Sequence, residues 1–184
     1  MIRTFAILSL LAGSSVAAAD PCKSGLQPNQ RPGPYSALVS VGKERGTQHC
    51  YICEAENRPL VIVFARTPTD ALGKLVKQLD GAIKEHKAVE LRSWVTFLAD
   101  DQTKMDPKVV QWAQKHAVNA VPCAVFEDTV GPPTYLLAKD ADVTVLLSVN
   151  RKVVANFAFR ADELTDTAIA DIVKAVPKIV NVKK

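Results

Sequence analysis

One continuous apolar run, Leu-Val-Ile-Val-Phe at residues 60–64, dominates the hydrophobic pattern of the chain. A run without polar alternation is typical of a strand that is buried on both faces of a sheet. Pro59 precedes this run, and the turn at residues 67–70 follows it. The pattern therefore predicts a central strand with helices packed on both sides.

Helical periodicity begins directly after the turn. Thr67 or Thr69 is a suitable N-cap, and Asp70 lies in the first helical turn, where a carboxylate complements the helix dipole. The apolar residues that follow at spacings of three and four are Leu72, Leu75, Val76, Leu79 and Ile83. This spacing predicts a helix that continues to about residue 86.

Further apolar segments predict three more strands. Residues 35–41 form a short edge strand, residues 91–98 a second strand of the main sheet, and residues 121–126 a strand that begins with Val-Pro. Between the last two, Asp106 is expected to cap a helix that has Pro107 at its first position.

The last third of the chain combines a hairpin with a helix. Residues 143–149 and 153–159 are β-rich and flank a short polar turn, which predicts a β-hairpin. An apolar stripe over residues 164–176 predicts a final helix that Pro177 stops. Alternating strands and helices imply parallel pairing, and the hairpin adds antiparallel pairing. The predicted fold is an α/β sandwich with a mixed central sheet and helices on both faces.

The first 19 residues have the three-part pattern of a secretory signal peptide. Arg3 is followed by an apolar run at residues 5–12 and by an Ala-Ala-Ala ending, and we expect cleavage before Asp20. The run is shorter than the ~20 residues that span a bilayer, so a retained membrane anchor is the less consistent alternative. We therefore expect a secreted or periplasmic protein with no integral membrane span after cleavage.

The remaining chain of about 165 residues is the size of one domain. Residues 20–58 are rich in Pro, Gly and polar residues and are expected to form an irregular N-terminal extension, with the main domain at residues 59–180. The net charge of +4 is dispersed among both signs, which gives no reason to expect nucleic acid as a partner. The chain has no phosphate loop, nucleophile elbow or paired catalytic carboxylates.

Cysteine carries the candidate chemistry. Cys50 and Cys53 have the C-x-x-C spacing of a redox dithiol, and a protonated His49 would favour the Cys50 thiolate. Three interpretations stay open: a catalytic pair, a structural disulfide of an exported protein, and a zinc site completed by His49 with Cys22 or Cys123. Cys22 and Cys123 are additional candidate thiols, although Cys123 also suits a small buried position. Four cysteines allow three complete pairings, and the sequence does not choose among them.

From the Val121-Pro122 step onwards, the order of strand, hairpin and amphipathic last helix resembles the second half of the thioredoxin fold. The resemblance covers residues 59–176. In that family the proline is cis and flanks the active site, which implies that Val121 and Pro122 lie at a site together with Thr67 and Asp70. An X-Pro bond is cis in only ~5% of cases, so the isomer is left to the structure.

The chain departs from the family at the turn after the central strand. Thioredoxins carry the redox C-x-x-C in that turn, whereas residues 67–70 here contain no cysteine. The sequence therefore resembles a thioredoxin-like protein that is atypical at this turn. Its own C-x-x-C precedes the central strand, which places the pair at the amino end of the strand, far from Pro122 unless residues 54–58 fold back.

Two functions from different classes follow. The first is thiol-disulfide exchange with a protein thiol or disulfide, in which Cys50 attacks and Cys53 resolves the mixed disulfide. The second is a redox-inactive binding or scaffold module, in which a cleft near Thr67 and Pro122 holds an extended peptide and the cysteine pair is a staple. Neither function implies an organic cofactor, and a zinc site at the cysteine pair is the less favoured variant of the second function.

Overall fold

The apolar run at the centre of the sequence forms strand β3 (Leu60–Ala65), and every residue of this strand is buried. The computed structural model describes residues 20–181, so the predicted signal peptide lies outside the described residues. β3 pairs in parallel with β4 (Arg92–Leu98) and antiparallel with β6 (Val143–Val149). Both edges of the strand are thus hydrogen-bonded, which makes β3 an interior strand of the sheet.

The described part of the chain forms one seven-stranded sheet in the order β2-β1-β5-β4-β3-β6-β7. The other strands are β1 (Ala37–Val41), β2 (Gln48–His49), β5 (Cys123–Phe126) and β7 (Lys152–Phe159). β5 is parallel to β4, while β1 is antiparallel to β5. The sheet is therefore mixed, as predicted.

The hairpin of β6 and β7 is confirmed. Asn150 and Arg151 form its turn with φ values of 52° and 59°. Two successive residues with positive φ match the right-handed twist of the flanking strands, which is the geometry of a tight two-residue hairpin loop.

The helices in residues 20–181 are α1 (Tyr51–Ala55), α2 (Asp70–Glu85), α3 (Gln102–Lys115), α4 (Asp166–Ala175) and α5 (Pro177–Val180). Two short 3₁₀ helices span Lys87–Val89 and Pro133–Tyr135. α2 begins as predicted, because Thr69 Oγ1 accepts a hydrogen bond from the Leu72 N–H at 3.2 Å.

One predicted helix boundary is wrong, and another is confirmed. Asp101, rather than Asp106, caps α3, since its Oδ1 accepts a hydrogen bond from the Lys104 N–H at 3.1 Å. Pro107 consequently lies inside the helix, where its ring nitrogen cannot donate to the carbonyl of the preceding turn. The predicted stop at Pro177 is confirmed, since α4 ends at Ala175 and Pro177 takes the first position of the separate short helix α5.

The two faces of the sheet are covered differently. α2, α3, α4 and α5 pack their apolar stripes on the face that includes Val61, Val63 and Val95. The opposite face, with Phe64 and Trp94, is covered by α1 and by irregular aromatic segments. Helices thus lie on both faces, and the predicted sandwich is confirmed.

Residues 20–58 contribute to the same sheet. The predicted strand at residues 35–41 is β1, but it is not the edge, since β2 pairs along its outer side. β2 then leads directly into α1 on the sheet face opposite the long helices. The domain boundary at residue 58 stays a prediction.

A buried carboxylate fixes the loop before β5. Asp80, on α2, is only 2% exposed. Its Oδ1 accepts hydrogen bonds from the Ala120 and Val121 N–H groups at 3.0 Å, and its Oδ2 accepts one from the Asn119 N–H at 2.9 Å. These three bonds determine where Pro122 enters the sheet.

We predict that Asp80→Ala lowers the free energy of unfolding by about 2–4 kcal/mol, because three backbone donors lose their acceptor. Equilibrium urea unfolding measures this loss. The matched control is Asp171→Ala, whose carboxylate only faces Lys174 on the surface and is worth under about 1 kcal/mol. Equal losses in the two variants would contradict the role assigned to Asp80.

Candidate functional site at the amino edge of the sheet

The C-x-x-C pair lies between β2 and β3, at the amino end of the central strand, as its place in the sequence predicts. Cys50 is the N-cap of α1, and Cys53 lies in the first turn of that helix. A disulfide joins them, with Cα atoms 5.4 Å apart. The Cys53 N–H donates a hydrogen bond to Cys50 Sγ at 3.2 Å. One turn of helix therefore brings the two sulfurs together.

Apolar contacts hold α1 against the sheet. The Tyr51 ring stacks on Trp94, with centroids 5.5 Å apart and planes 25° from parallel, and Ala55 is fully buried. The Tyr51 hydroxyl also donates to Glu44 Oε2 at 3.4 Å. Because these residues face inward, Cys53 on the outer side of the helix is exposed, while Cys50 is partly exposed.

Glu54 connects α1 to its surroundings. Its Oε1 accepts a hydrogen bond from the Arg92 guanidinium, and its Oε2 lies 3.0 Å from His49 Nε2. The bond from Arg92, with a smaller contribution from His49, holds the pKa of the Glu54 carboxyl below its usual value against the effect of burial. Glu54 thus orients the His49 ring, and no hydrogen bond joins that ring to either sulfur.

Pro122 lies at this same edge of the sheet. β5 runs parallel to β4, and the Val95 N–H donates to the Pro122 carbonyl at 2.9 Å. Pro122, Tyr51 and Trp94 line one cavity of about 220 Å³. Pro122 therefore lies beside α1, because the strand after Pro122 joins β4 and carries its amino end towards that helix, whereas Cys50 and Cys53 themselves do not line this cavity.

The peptide bond between Val121 and Pro122 is trans, since residues 20–181 contain no cis peptide bond. The cis isomer implied by the resemblance is therefore not found.

Thr67 and Asp70 lie at the opposite, carboxyl edge of the sheet. Thr67 Oγ1 donates to Asp142 Oδ1 at 3.0 Å, and Asp70 Oδ1 accepts from Lys115 Nζ at 2.5 Å. That lysine is the main reason why the pKa of the Asp70 carboxyl is lowered. Parallel strands separate their amino and carboxyl ends, so the expected cleft shared by Thr67 and Pro122 does not form.

Cys22 and Cys123 are free thiols in different environments. Cys123 is fully buried, and burial, with a smaller effect of Asp80, raises the pKa of its thiol strongly. Cys22 is partly exposed, and its pKa is raised by partial burial and by Asp140. Cys123 thus occupies the small buried position that its sequence context suggests.

The zinc alternative is not supported. It requires the thiolates of Cys50 and Cys53 as ligands, and the disulfide occupies both sulfurs. Among residues 20–181, no group of three or more His, Cys, Asp or Glu side chains is placed to hold a metal ion.

Several residues around the cysteine pair carry no signal in the sequence. Arg92 and Trp94 face α1 from β4, and a second cavity beside Cys53 includes Arg31 and Ser148. These residues are distant from the C-x-x-C along the chain, so no local motif marks them. Glu54, directly after Cys53, is the one local residue whose charge is compatible with the ion pairs that the structure shows at this helix.

No family model matches the chain, and no curated protein matches it significantly. Solved structures do. A "putative protein disulfide isomerase" from Bacteroides thetaiotaomicron superposes with a TM-score of 0.64 at 13% identity, over 86% of this chain and 94% of that one. The thioredoxin domain of a thiol-disulfide oxidoreductase from Bacteroides vulgatus gives 0.56 at 14%, over 80% and 99%. Peroxidoxin BcpB from Mycobacterium tuberculosis gives 0.54 at 16%, over 82% and 97%.

At these identities the likeness establishes the fold, and the protein has an α/β thioredoxin-like fold. Within that class, its structural neighbours are thiol-disulfide oxidoreductases and peroxiredoxins. Across residues 20–181, the helices are all too short or too polar to traverse a bilayer.

We predict that iodoacetamide labels Cys22 in the native, oxidised protein and leaves Cys123 unlabelled, since burial and a raised pKa both suppress thiolate reactivity. Peptide mapping by mass spectrometry measures the two sites separately. Labelling in denaturant is the control and should reach both thiols. Equal native labelling of Cys22 and Cys123 would show that the strand containing Cys123 is open.

Proposed function

We propose that this protein carries out thiol-disulfide exchange outside the cytoplasm through Cys50 and Cys53. The observation that carries this proposal is an exposed C-x-x-C disulfide at the start of a helix, with the Cys53 N–H bonded to Cys50 Sγ. An accessible sulfur is what an incoming thiolate needs, and a hydrogen bond to the partner sulfur favours its release as a thiolate. The fold is one in which neighbours named as thiol-disulfide oxidoreductases occur.

The proposed partners are thiols or disulfides of proteins or extended peptides. Export is supported by the signal-peptide pattern of residues 1–19, and disulfide chemistry belongs to the oxidising compartments that such a signal reaches. A secreted or periplasmic location follows from this proposal.

We further propose that the chemistry of this chain lies at the amino edge of its sheet, with the turn at residues 67–70 in a structural role. That turn has no cysteine, and its polar side chains are engaged: Thr69 caps α2, and Thr67 bonds to Asp142. In this proposal His49 does not hydrogen-bond to either sulfur, because Glu54 holds its ring.

The alternative is a redox-inactive binding module in which the disulfide is a staple. One observation favours it. Tyr51 and Glu54 already anchor α1, so the disulfide is one more fixed link within a helix that is held in place. The two functions differ in whether the pair turns over.

We predict that the protein with Cys22→Ser catalyses reduction of insulin disulfides by dithiothreitol, and that a further Cys50→Ser or Cys53→Ser change abolishes the catalysis. Turbidity of the released insulin B chain measures the rate. The Cys22→Ser parent is the matched control, because it lacks a thiol but keeps the pair. Rates for the parent that equal those of the serine variants would favour the staple.

Thr69→Ala tests the structural role proposed for the turn at residues 67–70. Loss of the N-cap is expected to lower the free energy of unfolding by about 1 kcal/mol while leaving the insulin rate within experimental error. Thermal unfolding and the insulin assay on the same sample provide both numbers. A large loss of rate with full stability would place function at residues 67–70 instead.

A further inference from the structure

A cavity of about 380 Å³ opens beside Cys53. Its walls include Arg31 and Pro34 from the N-terminal segment, Ile52 and Cys53 from α1, and Ser148 and Arg151 from the hairpin. Cys50 does not line it. The cavity therefore gives access to one sulfur of the pair and not to the other.

Ser148 contributes a buried polar group without a partner. The residue is fully buried on β6, and within the described chain its Oγ has no hydrogen bond. An unsatisfied buried hydroxyl is costly, and a polar ligand atom in the cavity would remove that cost. The hydroxyl thus supports a ligand site here, and two other buried serine hydroxyls of the described chain, those of Ser40 and Ser93, are likewise without a partner.

Arginine pairing supports the same conclusion. Five arginines in residues 20–181 bond to carboxylates or backbone carbonyls: Arg45, Arg58, Arg66, Arg92 and Arg160. The other two, Arg31 and Arg151, have no hydrogen bond or ion pair with the described residues, and both line this cavity. Glu56 also lines it, so the charged groups there sum to a single positive charge.

We propose that this cavity binds the substrate thiol, that the substrate is a cysteine-containing acidic peptide, and that its thiolate attacks Cys53 and expels Cys50. The inference rests on the proposed thiol-disulfide exchange and assigns the binding site for that reaction. Unpaired guanidinium groups select carboxylates, to which they can donate two parallel hydrogen bonds.

The exchange balances in two steps. The peptide thiolate forms a bond to Cys53 Sγ, the disulfide breaks, and its electron pair leaves on Cys50 as a thiolate. A second thiol of the peptide, as its thiolate, then attacks the peptide sulfur of the mixed disulfide and releases Cys53. The peptide becomes a disulfide, the two protons from its thiols end on Cys50 and Cys53, and two electrons have passed to the protein.

Leaving-group chemistry favours this direction of attack. Cys50 Sγ accepts the hydrogen bond from the Cys53 N–H, so the charge that develops on Cys50 is stabilised as it leaves. Cys53 is the exposed member of the pair. The roles are therefore the reverse of the order expected from sequence, in which Cys50 attacks and Cys53 resolves.

Oxidised protein with Cys22→Ser is mixed with two dithiol peptides that differ only in Asp or Asn beside their cysteines. We expect oxidation of the Asp peptide to be about fivefold faster at low salt, as for a partly exposed ion pair, and the preference to shrink as salt screens it. Combining Arg31→Gln with Arg151→Gln is expected to bring the ratio close to one.

The matched control removes two positive charges elsewhere, by Lys84→Gln and Lys108→Gln on the helices of the other sheet face. It should keep the fivefold preference. An equal preference loss in both double variants, or equal rates for the two peptides with the parent protein, would overturn the selection of acidic peptides by this cavity.

Acid quenching with a single-cysteine Asp peptide identifies the attacked sulfur by mass spectrometry. We expect the peptide on Cys53, and its recovery on Cys50 would overturn the assigned order. Absence of exchange with every peptide contradicts the proposed function itself, which separates the two failures. Exchange that is fast but indifferent to charge contradicts only the cavity.

Discussion

The parallel pairing of β3 with β4 and of β4 with β5 is the constraint on which the rest of the structure depends. It sends the amino ends of three strands to one edge of the sheet and their carboxyl ends to the other. α1 precedes β3 along the chain and lies at the amino edge, and Pro122, which precedes β5, lies at the same edge. The polar turn after β3 is left at the far edge, among contacts that hold helix ends and loops in place.

A small anchored helix then determines what the cysteine pair can do. Stacking of Tyr51 on Trp94 fixes one side of α1, and the contact of Glu54 with Arg92 fixes another. The outward side is left with Cys53, which is both exposed and next to a cavity. The apolar strand β3 and its parallel neighbours fix the strand directions. These directions place α1 at the amino edge, and the contacts of α1 leave one sulfur accessible.

Sequence patterns predicted most of the fold because the relevant forces are local or periodic. The apolar run of β3, the stripe of α2 and the two strands of the hairpin each follow from spacing along the chain. The start of α3 was misplaced because Asp106-Pro107 is as good a local start as Asp101, and only the side-chain hydrogen bond of Asp101 distinguishes them.

The site was less predictable because the hydrophobic pattern of a segment does not specify which strand it pairs with. The resemblance placed Pro122 with the turn after β3, whereas the parallel pairing of β5 with β4 puts Pro122 at the amino edge of the sheet. The partners of α1 and of the cavity come from residues that are distant along the chain, such as Arg92, Ser148 and Arg151. The cysteine spacing itself was the one strong local signal, and it left a redox pair, a structural disulfide and a zinc site open until the structure showed the disulfide.

The reduction potential of the Cys50–Cys53 pair tests the central claim most directly. Equilibration of the Cys22→Ser protein with glutathione buffers, followed by alkylation and mass spectrometry, gives this value. We predict a potential between about −270 and −120 mV, the range of working thiol-disulfide oxidoreductases. A potential below about −300 mV would contradict it and would make the pair a structural disulfide.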